Sequence, residues 1–230
     1  MEEEASDSGN RGESEYNPMP QEDRNKINIA ISGPAGVGKS SVVLQYVYKT
    51  FYGDYVPTIE DQYKKIEFMQ GEQVEVNILD TSGTDEFIPL RHAWMANKDA
   101  IILCYSIEKE NFLKEVEKFF QEISFANQFK TVPIALVANK IDIKKRMITP
   151  EQGKEVADKN GAKFFECSAK ENQGVVEIFR SLITDVRNER RKKENEKLLQ
   201  QQQLMQAQRA AINNKKPGNP NVCGLECKIF

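Results

Sequence analysis

The sequence predicts an α/β fold, in which a mostly parallel sheet has helices on both faces. Strand-like and helix-like segments alternate through the middle of the chain, and this alternation is typical of parallel sheets with helical crossovers. Ala100–Tyr105 and Val132–Ala138 are continuously apolar, as expected for strands that are buried on both faces. Hydrophobic residues make up 39% of the chain, which is enough to form a core.

The first half of the pattern contains three strands and one helix. Lys26–Ser32 is short, apolar and rich in β-branched residues, which predicts a strand. A glycine-rich turn follows it, and Ser40–Tyr48 has the pattern of a helix. Tyr63–Met69 and Val74–Leu79 predict two more strands, which Gln70–Glu72 joins as a hairpin turn.

The second half continues the alternation around the two apolar strands. Phe112–Phe125 has apolar residues at helical spacing, and Thr149–Glu151 begins another helix with Pro at its first position. Lys163–Glu166 predicts a short last strand, and Val175–Val186 predicts an amphipathic helix. The helical pattern continues through Gln200–Gln203, where there is little to bury, so we expect its end to fray.

Charge is distributed unevenly along the 230 residues, although the formal net charge is only −3. Residues 1–24 hold eight acids and two bases, and they predict a disordered, solubilising head. Residues 187–230 hold ten bases and four acids, so this segment is expected to meet something anionic. We therefore predict a head at 1–24, a folded domain at 25–187 and a basic, Gln-rich tail at 188–230.

Several protein classes are disfavoured. The apolar runs are far shorter than the roughly 18–20 residues that span a bilayer. The N-terminus has neither a basic leader with an apolar segment nor a Met-Gly start, so we expect no secretory signal and no myristoylation. Four scattered cysteines predict a reduced, cytosolic chain. His92 is the only histidine, which leaves His-based metal clusters and Ser-His pairs without support.

The first motif matches G-x-x-x-x-G-K-[ST] and lies between a predicted strand and a predicted helix. Its residues are Gly33, Pro34, Ala35, Gly36, Val37, Gly38, Lys39 and Ser40. Such a loop can turn its N–H groups inward around phosphate oxygens, beside a helix N-terminus. Lys39 would reach the β- and γ-phosphates, and Ser40 would bind Mg²⁺. The alternative is a glycine-rich surface turn.

The second motif, Asp80-Thr81-Ser82-Gly83, ends a predicted strand. The Asp80 carboxylate can hold Mg²⁺ through water, because this ion keeps part of its hydration shell. The Gly83 N–H can approach a γ-phosphate closely, because no Cβ is in the way. Alone, this pattern also fits an ordinary Asp-Gly turn.

The third motif, Asn139-Lys140-Ile141-Asp142, follows a buried strand. The Asp142 carboxylate can accept hydrogen bonds from the two N–H groups on the Watson–Crick edge of guanine. Adenine would leave that acid unpaired, which is costly in a buried site. The alternative is an Asn-Lys loop with a helix-capping Asp.

The fourth motif is Ser168-Ala169-Lys170, after the last predicted strand. Its backbone N–H groups can meet the carbonyl oxygen of guanine. Three residues are a weak signal by themselves, so this motif gains meaning only beside the other three.

In their order and spacing, the four motifs resemble those of the small GTPases, over roughly residues 25–187. The resemblance implies a P-loop fold with a six-stranded, mostly parallel sheet and five helices, and it implies GTP/GDP and Mg²⁺ as ligands. It also makes Thr58 a Mg²⁺ ligand, places Phe51 edge-on against guanine and puts Ser41 at the nucleotide. The resemblance implies a catalytic set of Lys39, Thr58, Gly83 and Thr84.

A further segment is similar to the effector segment of the Ras and Rap branch. Its residues are Tyr55, Val56, Pro57, Thr58, Ile59, Glu60, Asp61, Gln62 and Tyr63. We expect effectors with Ras-binding domains to add a strand beside Glu60–Met69, with Glu60 and Asp61 meeting basic side chains. A solvated acidic edge is the alternative. The branch also implies activating proteins and exchange factors as partners, and no nucleic acid.

Two positions depart from the Ras pattern. Thr84 stands where most Ras-like proteins have the Gln that orients the attacking water, although Rap proteins also have Thr there. Ala35 stands where Ras and Rap usually have Gly, and its Cβ would crowd the γ-phosphate. We therefore expect slow intrinsic hydrolysis and poor stimulation by activating proteins of the Ras type.

The C-terminus ends in Cys227-Lys228-Ile229-Phe230, a C-a-a-X box that predicts prenylation and methylation. A terminal Phe favours geranylgeranyl over farnesyl. One lipid binds membranes only weakly, so palmitoylation of Cys223 and the basic tail are expected as further signals. This predicts the cytoplasmic face of a membrane, with the plasma membrane first. The alternatives are a free thiol and a solvated helix end.

Three functions remain open from the sequence. The favoured one is a membrane-anchored GTP/GDP switch in signal transduction. The second is a GTP-binding signalling module with negligible hydrolysis, biased to the GTP state. The third is a different P-loop enzyme such as a nucleotide kinase, which the Asn139–Asp142 motif disfavours.

Overall fold

The computed structural model describes residues 25–54, 56–128 and 131–214. Six strands in this part of the chain form one sheet. They are β1 (Lys26–Ser32), β2 (Glu60–Met69), β3 (Glu72–Thr81), β4 (Ala100–Ser106), β5 (Ile134–Asn139) and β6 (Lys163–Glu166). Their order is β2-β3-β1-β4-β5-β6; β2 and β3 pair antiparallel, and every other pairing is parallel.

Five α-helices connect or follow these strands within the described residues. They are α1 (Lys39–Tyr48), α2 (Ile88–Met95), α3 (Phe112–Ala126), α4 (Pro150–Lys159) and α5 (Val175–Asn214), with a short 3₁₀ turn at Asp85–Phe87. A capping box between Thr149 and Gln152 starts α4, and Pro150 occupies its first position. The predicted six-stranded, mostly parallel sheet with five helices is thus confirmed.

The hairpin of β2 and β3 is longer than the sequence pattern indicates. Strand β2 begins three residues before the predicted Tyr63, because antiparallel pairing with β3 continues to Glu60 opposite Thr81. The turn is tight: Gln70 and Gly71 both have positive φ angles. As a result Glu60, Asp61 and Gln62 lie on the edge strand of the sheet, and Asp80 lies inside β3.

The core lies around the central strands. Every residue of β4 is buried, which explains its unbroken apolar run. On one face a buried cluster brings together Leu103 and Tyr105 of β4, Leu136 of β5, and Phe112 and Val116 of α3. The carboxyl ends of the parallel strands therefore sit on a rigid base, and the loops that follow them are held close together.

The chain divides into two units, with the boundary between Ile183 and Thr184. Helix α5 begins at the predicted Val175 but continues past Val186, and past the Gln200–Gln203 run where fraying was expected, to Asn214. No helix in the described ranges is long and apolar enough to cross a membrane. The predicted head at 1–24, Tyr55 of the effector segment, and Cys223 and Cys227 lie outside the described residues.

Candidate functional site

A cleft of about 510 Å³ opens at the carboxyl ends of the strands. It brings together residues from all four motifs and from the effector segment. The predicted site residues that line it are Ala35, Gly36, Gly38, Lys39, Ser40, Ser41, Phe51, Val56, Pro57, Thr58, Asp61, Tyr63, Gly83, Thr84, Asn139, Lys140, Asp142, Ala169 and Lys170. Segments that are more than a hundred residues apart in sequence thus share one surface.

Some predicted residues do not line the cleft. These are first of all Gly33, Pro34, Val37, Asp80 and Ser168. The carbonyls of Gly33, Pro34 and Val37 accept hydrogen bonds from side chains that do line the cleft. The Ser168 hydroxyl donates to Asp142, and the Asp80 carboxylate is buried beside Ser40 and Lys39. Ile59, Glu60 and Gln62 of the effector segment are also absent from the lining. Additional lining residues that the sequence analysis did not single out are Leu44, Tyr52, Gly53 and Asp54. Thr81 and Ser82 of the second motif, to which no separate role was given, also line the cleft.

The loop between β1 and α1, together with the start of α1 (Gly33–Ser40), is called the phosphate loop below. Gly33, Gly36 and Gly38 all have positive φ angles, which L side chains rarely adopt. A Cβ on Gly33 would also collide with the Cys104 carbonyl of β4, and one on Gly38 would collide with the Asn139 side chain. The glycines therefore allow both the shape of the loop and its close contact with β4 and β5.

The Lys39 ammonium is enclosed by the phosphate loop. Its side chain is buried, and Nζ donates to the carbonyls of Gly33 at 2.9 Å and Pro34 at 3.0 Å. Burial lowers the pKa of Lys39 to about 8, against the opposing effect of the Asp80 carboxylate. A buried cation bonded only to neutral carbonyls gains strongly from an anionic ligand, and a polyphosphate supplies one.

The Asp80 carboxylate is fully buried beside the phosphate loop. Neither of its oxygens has a hydrogen-bond partner of good geometry among the described residues. Burial raises the pKa of Asp80 to about 6, although the Ser40 hydroxyl and the Lys39 ammonium favour its charged form. An unpaired carboxylate in a buried place indicates that a cation completes this site.

Two hydroxyl groups lie close together beside this carboxylate. The Ser40 hydroxyl lies 3.1 Å from the Thr58 hydroxyl, so the two side chains predicted to hold the ion are together. Within the described ranges no group of three or more His, Cys, Asp or Glu residues can hold a metal by itself. One carboxylate with two hydroxyls fits Mg²⁺, which takes its remaining ligands from phosphates and water.

Gly83 lies directly against the phosphate loop. A Cβ at this position would collide with the backbone of Gly33, Pro34 and Ala35, so only glycine fits here. The next residue, Thr84, has its hydroxyl 3.2 Å from the Ser82 hydroxyl. Thr84 lines the cleft, but its side chain is already engaged within its own turn.

Arg91 of α2 supports the turn that contains Gly83, and the sequence analysis did not identify this residue. Its guanidinium is fully buried and donates from Nη1 to the Gly83 carbonyl at 3.3 Å. It also pairs with Glu122 of α3, with an Nε–Oε2 distance of 3.0 Å. A single basic residue in a helical pattern carries no signal for such a role, because the partner lies 31 residues away.

At the other end of the cleft, Asn139 joins three motifs. Its side-chain amide donates to the Val37 carbonyl at 2.9 Å, and its amide oxygen accepts from the Ala169 N–H at 3.2 Å. Asp142 accepts from the Ser168 hydroxyl at 2.6 Å. Lys140 has a positive φ angle and pairs with Glu108. The groups predicted to recognise guanine are therefore held in place by one another.

The effector segment leads into the edge of the sheet. Val56 and Ile59 are mostly exposed, and the residues from Glu60 to Gln62 form the exposed start of β2. The Glu60 carboxylate accepts from the indole N–H of Trp94 at 2.7 Å, which connects this segment to α2. Trp94 is the only tryptophan of the chain, so its fluorescence reports on this contact.

Comparisons with known proteins agree with the geometry. The model of the Ras family matches residues 28–188. The chain is 33% identical over 163 residues to Ras-like protein 2 of Mucor circinelloides f. lusitanicus, an alignment that covers 70% of this chain and 82% of the relative. It is also 33% identical over 165 residues to Ras-like protein rasS of Dictyostelium discoideum, covering 71% and 85%. The narrower resemblance to the Rap branch stays a prediction.

Proposed function

The chain belongs to the Ras family of small GTPases, and we propose that it is a membrane-anchored GTP/GDP switch with slow intrinsic hydrolysis. Family membership supports the switch and GTP hydrolysis in general. The slow rate, the lipid anchor and the roles of individual residues are our proposals. The observation that carries the proposed nucleotide site is the buried Asp80, which has no hydrogen-bond partner of good geometry among the described residues and lies beside Ser40 and the enclosed Lys39.

The chain stabilises charge at the phosphates and performs little covalent chemistry of its own. Lys39 exchanges its carbonyl partners for phosphate oxygens, and the N–H groups of the phosphate loop donate to the same oxygens. Ser40, Thr58 and Asp80 would hold Mg²⁺, which would supply positive charge against the negative charge on the phosphates. Gly83 presents its N–H to the γ-phosphate. When the γ-phosphate is lost, Thr58 and Gly83 lose their contacts with it. The segment before β2 and the turn after β3 then change shape, and partners that contact them respond to that change.

Guanine selection is assigned to the Asn139–Asp142 end of the cleft. Asp142 accepts from the N–H groups on the Watson–Crick edge of guanine, and the Ser168 hydroxyl fixes the orientation of its carboxylate. Phe51, which is 40% exposed and lines the cleft, covers the base from the side. Adenine leaves Asp142 unpaired, so ATP should compete poorly with GTP.

Slow hydrolysis follows from the turn that contains Thr84. The Thr84 hydroxyl forms a hydrogen bond with the Ser82 hydroxyl. The Thr side chain is also shorter than that of Gln, so it cannot both donate to and accept from an attacking water in the same geometry. The methyl group of Ala35 adds bulk at the same end of the cleft. The same observation favours a second candidate, a GTP-binding signalling module whose hydrolysis is negligible.

The proposed rate is tested by single-turnover GTP hydrolysis with the full-length protein. We expect Thr84→Gln and Ala35→Gly together to speed hydrolysis by about tenfold or more, since a positioned group of this kind contributes about 10² or more. The matched control is Thr149→Ser, because this residue does not line the cleft and a Ser there still caps α4. If neither change speeds the reaction, alone or combined, the slow rate has another cause.

Activating proteins separate the two candidates. An ordinary switch with a slow intrinsic rate should be stimulated by an activating protein of the Rap type and only weakly by one of the Ras type. A module with negligible hydrolysis should keep its GTP with either protein. Fast unstimulated turnover would contradict both candidates.

Membrane anchoring is proposed on the C-a-a-X box and the basic tail. We propose that Cys227 carries the prenyl group, that Cys223 can carry a second lipid and that the tail attracts anionic lipids. Flotation of the prenylated protein with anionic vesicles should be lost in Cys227→Ser and reduced in Cys223→Ser. Equal flotation of Cys227→Ser and the native chain would contradict this anchor.

Effector binding is proposed at the open edge of β2. This edge strand can accept an added strand along Glu60–Met69, and Glu60 and Asp61 offer acidic charge to a basic partner. Because Trp94 donates to Glu60, binding there should change the tryptophan fluorescence.

A further inference from the structure

Lys109 reaches from the loop between β4 and α3 to the phosphate loop, and none of the four motifs includes it. Its Nζ donates to the Ala35 carbonyl at 2.8 Å, across 74 residues of sequence. The side chain is half-buried, so it does not extend freely into water. A long lysine that is held on a backbone carbonyl loses side-chain entropy, and that cost calls for a compensating role.

The position of this ammonium completes a pattern on the phosphate loop. Lys39 donates hydrogen bonds to the carbonyls of Gly33 and Pro34, and Lys109 donates one to the next carbonyl, that of Ala35. Three consecutive carbonyls thus point to ammonium groups. Gly83 lies against the preceding part of the loop, because a Cβ on Gly83 would collide with the Gly33 carbonyl oxygen, the Pro34 carbonyl carbon and the Ala35 nitrogen. Lys109 therefore holds the carbonyl side of Ala35, the residue whose nitrogen side faces Gly83.

Lys109 lies between two acids, Glu108 and the exposed Glu110, and Glu108 is engaged elsewhere. Glu108 pairs with Lys140 of the third motif and accepts from the Ser106 hydroxyl. The Glu108 side chain is therefore directed to the third motif, whereas Lys109 contacts the phosphate loop. Lys109 does not itself line the cleft, but its ammonium lies on the carbonyl of Ala35, which does. The phosphate loop beside Ala35 thus has a positive charge that none of the four motifs supplies.

We propose that Lys109 is a positioning residue for the terminal phosphate of GTP: it fixes the Ala35 peptide and adds positive charge beside the γ-phosphate. This inference rests on the proposed GTP site. The γ-phosphate carries charge that GDP lacks, and this charge grows toward the leaving oxygen during transfer. A cation supplied by the chain itself at this place favours GTP over GDP and stabilises the transition state.

A purely structural brace makes a different prediction. GDP and GTP both contact the phosphate loop, so loss of a simple tether should weaken both nucleotides alike. Loss of a charge near the γ-phosphate should weaken GTP more than GDP, and the difference should shrink as salt is added. The ratio of the two affinities therefore distinguishes the two roles.

The test uses the full-length protein with Mg²⁺, and it compares Lys109→Met, Lys109→Arg and Lys114→Met. Lys114 lies exposed in the first turn of α3, so its replacement removes the same charge away from the cleft. The affinities of GDP and of a non-hydrolysable GTP analogue are measured at low and at high salt, and thermal unfolding checks the fold. Single-turnover hydrolysis of GTP is the second readout.

We expect Lys109→Met to weaken the GTP analogue by about fivefold to tenfold at low salt, with GDP changed less than about twofold. Hydrolysis should slow by a similar factor, Lys109→Arg should recover most of both effects, and Lys114→Met should match the native chain. Equal weakening of GDP and the analogue reduces Lys109 to a tether and overturns the proposal. Unchanged affinities and rate also overturn it. A native chain that binds neither nucleotide instead contradicts the proposed function itself.

Discussion

The two ends of the cleft are built in opposite ways. At the base end, which comprises Asn139–Asp142 and Ser168–Lys170, the recognition groups already bond to one another. At the phosphate end, which comprises the phosphate loop with Asp80 and Gly83, buried charges have weak partners or none of good geometry among the described residues. Folding alone completes the first end, and the second needs a ligand.

This difference indicates which end of the cleft a bound nucleotide stabilises most. A buried charge without a strong partner destabilises the folded chain, and a ligand that pairs with it removes that cost. The shifted pKa values of Lys39 and Asp80 are the signature of such a cost. The base end has the opposite character, because its hydrogen bonds contribute to stability whether or not a nucleotide is present.

The largest effect is expected for Lys39→Met, which separates binding from stability. GTP affinity should fall by about 100-fold or more, the size found when one charge-stabilising donor is removed. The nucleotide-free chain should change in stability by only about 1 kcal/mol, because the lost carbonyl bonds are offset by removing a buried charge. Nucleotide titration and urea unfolding measure the two quantities, with Lys114→Met as the charge control. A large loss of stability in the nucleotide-free Lys39→Met chain would contradict this, because Lys39 would then be needed for folding as well as for binding.

The next effect concerns pH and Asp80→Asn. The pKa of Asp80 is raised from 3.8 to about 6, so between these values the folded chain keeps a proton that the unfolded chain loses. The nucleotide-free protein should therefore lose stability as pH rises from about 4 to 6, by at most about 3 kcal/mol from this group. Asp80→Asn should lack that component, which urea unfolding in the presence of a chelator would measure.

Mg²⁺ with GDP sharpens this comparison. The ligand should restore the stability that the native chain has lost by about pH 6, because the Asp80 carboxylate then has a second cation nearby. It should restore less in Asp80→Asn. Parallel pH curves for the two chains would show that the Asp80 carboxylate is not the strained group.

At the base end, Asn139→Ala should reduce stability even without nucleotide. The change leaves the Val37 carbonyl and the Ala169 N–H without their side-chain partner, and each buried group left unpaired costs about 1–3 kcal/mol. We expect a total loss of about 2 kcal/mol in urea unfolding. Asn160→Ala removes the hydrogen bond that the Asn160 side-chain amide donates to the Val156 carbonyl at the end of α4, and it is the control for the loss of one local hydrogen bond. A stability like that of the native chain would contradict the bonded character of this end.

The smallest effect is expected for Ser168→Ala. It removes the hydroxyl that donates to Asp142 at 2.6 Å and accepts from the Glu171 N–H. One bond to a charged group contributes about 1.5 kcal/mol, so GTP affinity should fall by about tenfold as Asp142 loses its fixed orientation. Ser168→Thr keeps the hydroxyl and should retain most of the affinity. Discrimination against ATP should weaken in Ser168→Ala alone.

Local sequence determined the framework and the identity of the motifs. Strands β1 and β6 have the bounds that the pattern predicts, because an apolar or β-branched run between turn residues is a local signal. The phosphate loop is equally local, since its glycines define a backbone shape that needs positive φ angles. The order of the four motifs along alternating strands and helices also predicts that they meet at one edge of the sheet.

Tertiary structure alone decided which side chains serve the motifs from outside. Strand β2 starts at Glu60 because β3 offers a partner there, although the residues are polar and carry no strand periodicity. The contacts of Arg91 with Gly83 and Glu122, of Trp94 with Glu60 and of Lys109 with Ala35 join distant parts of the chain. Nothing in the neighbourhood of each residue encodes its partner, because these contacts exist only after the sheet and helices have packed and fixed the distance between them.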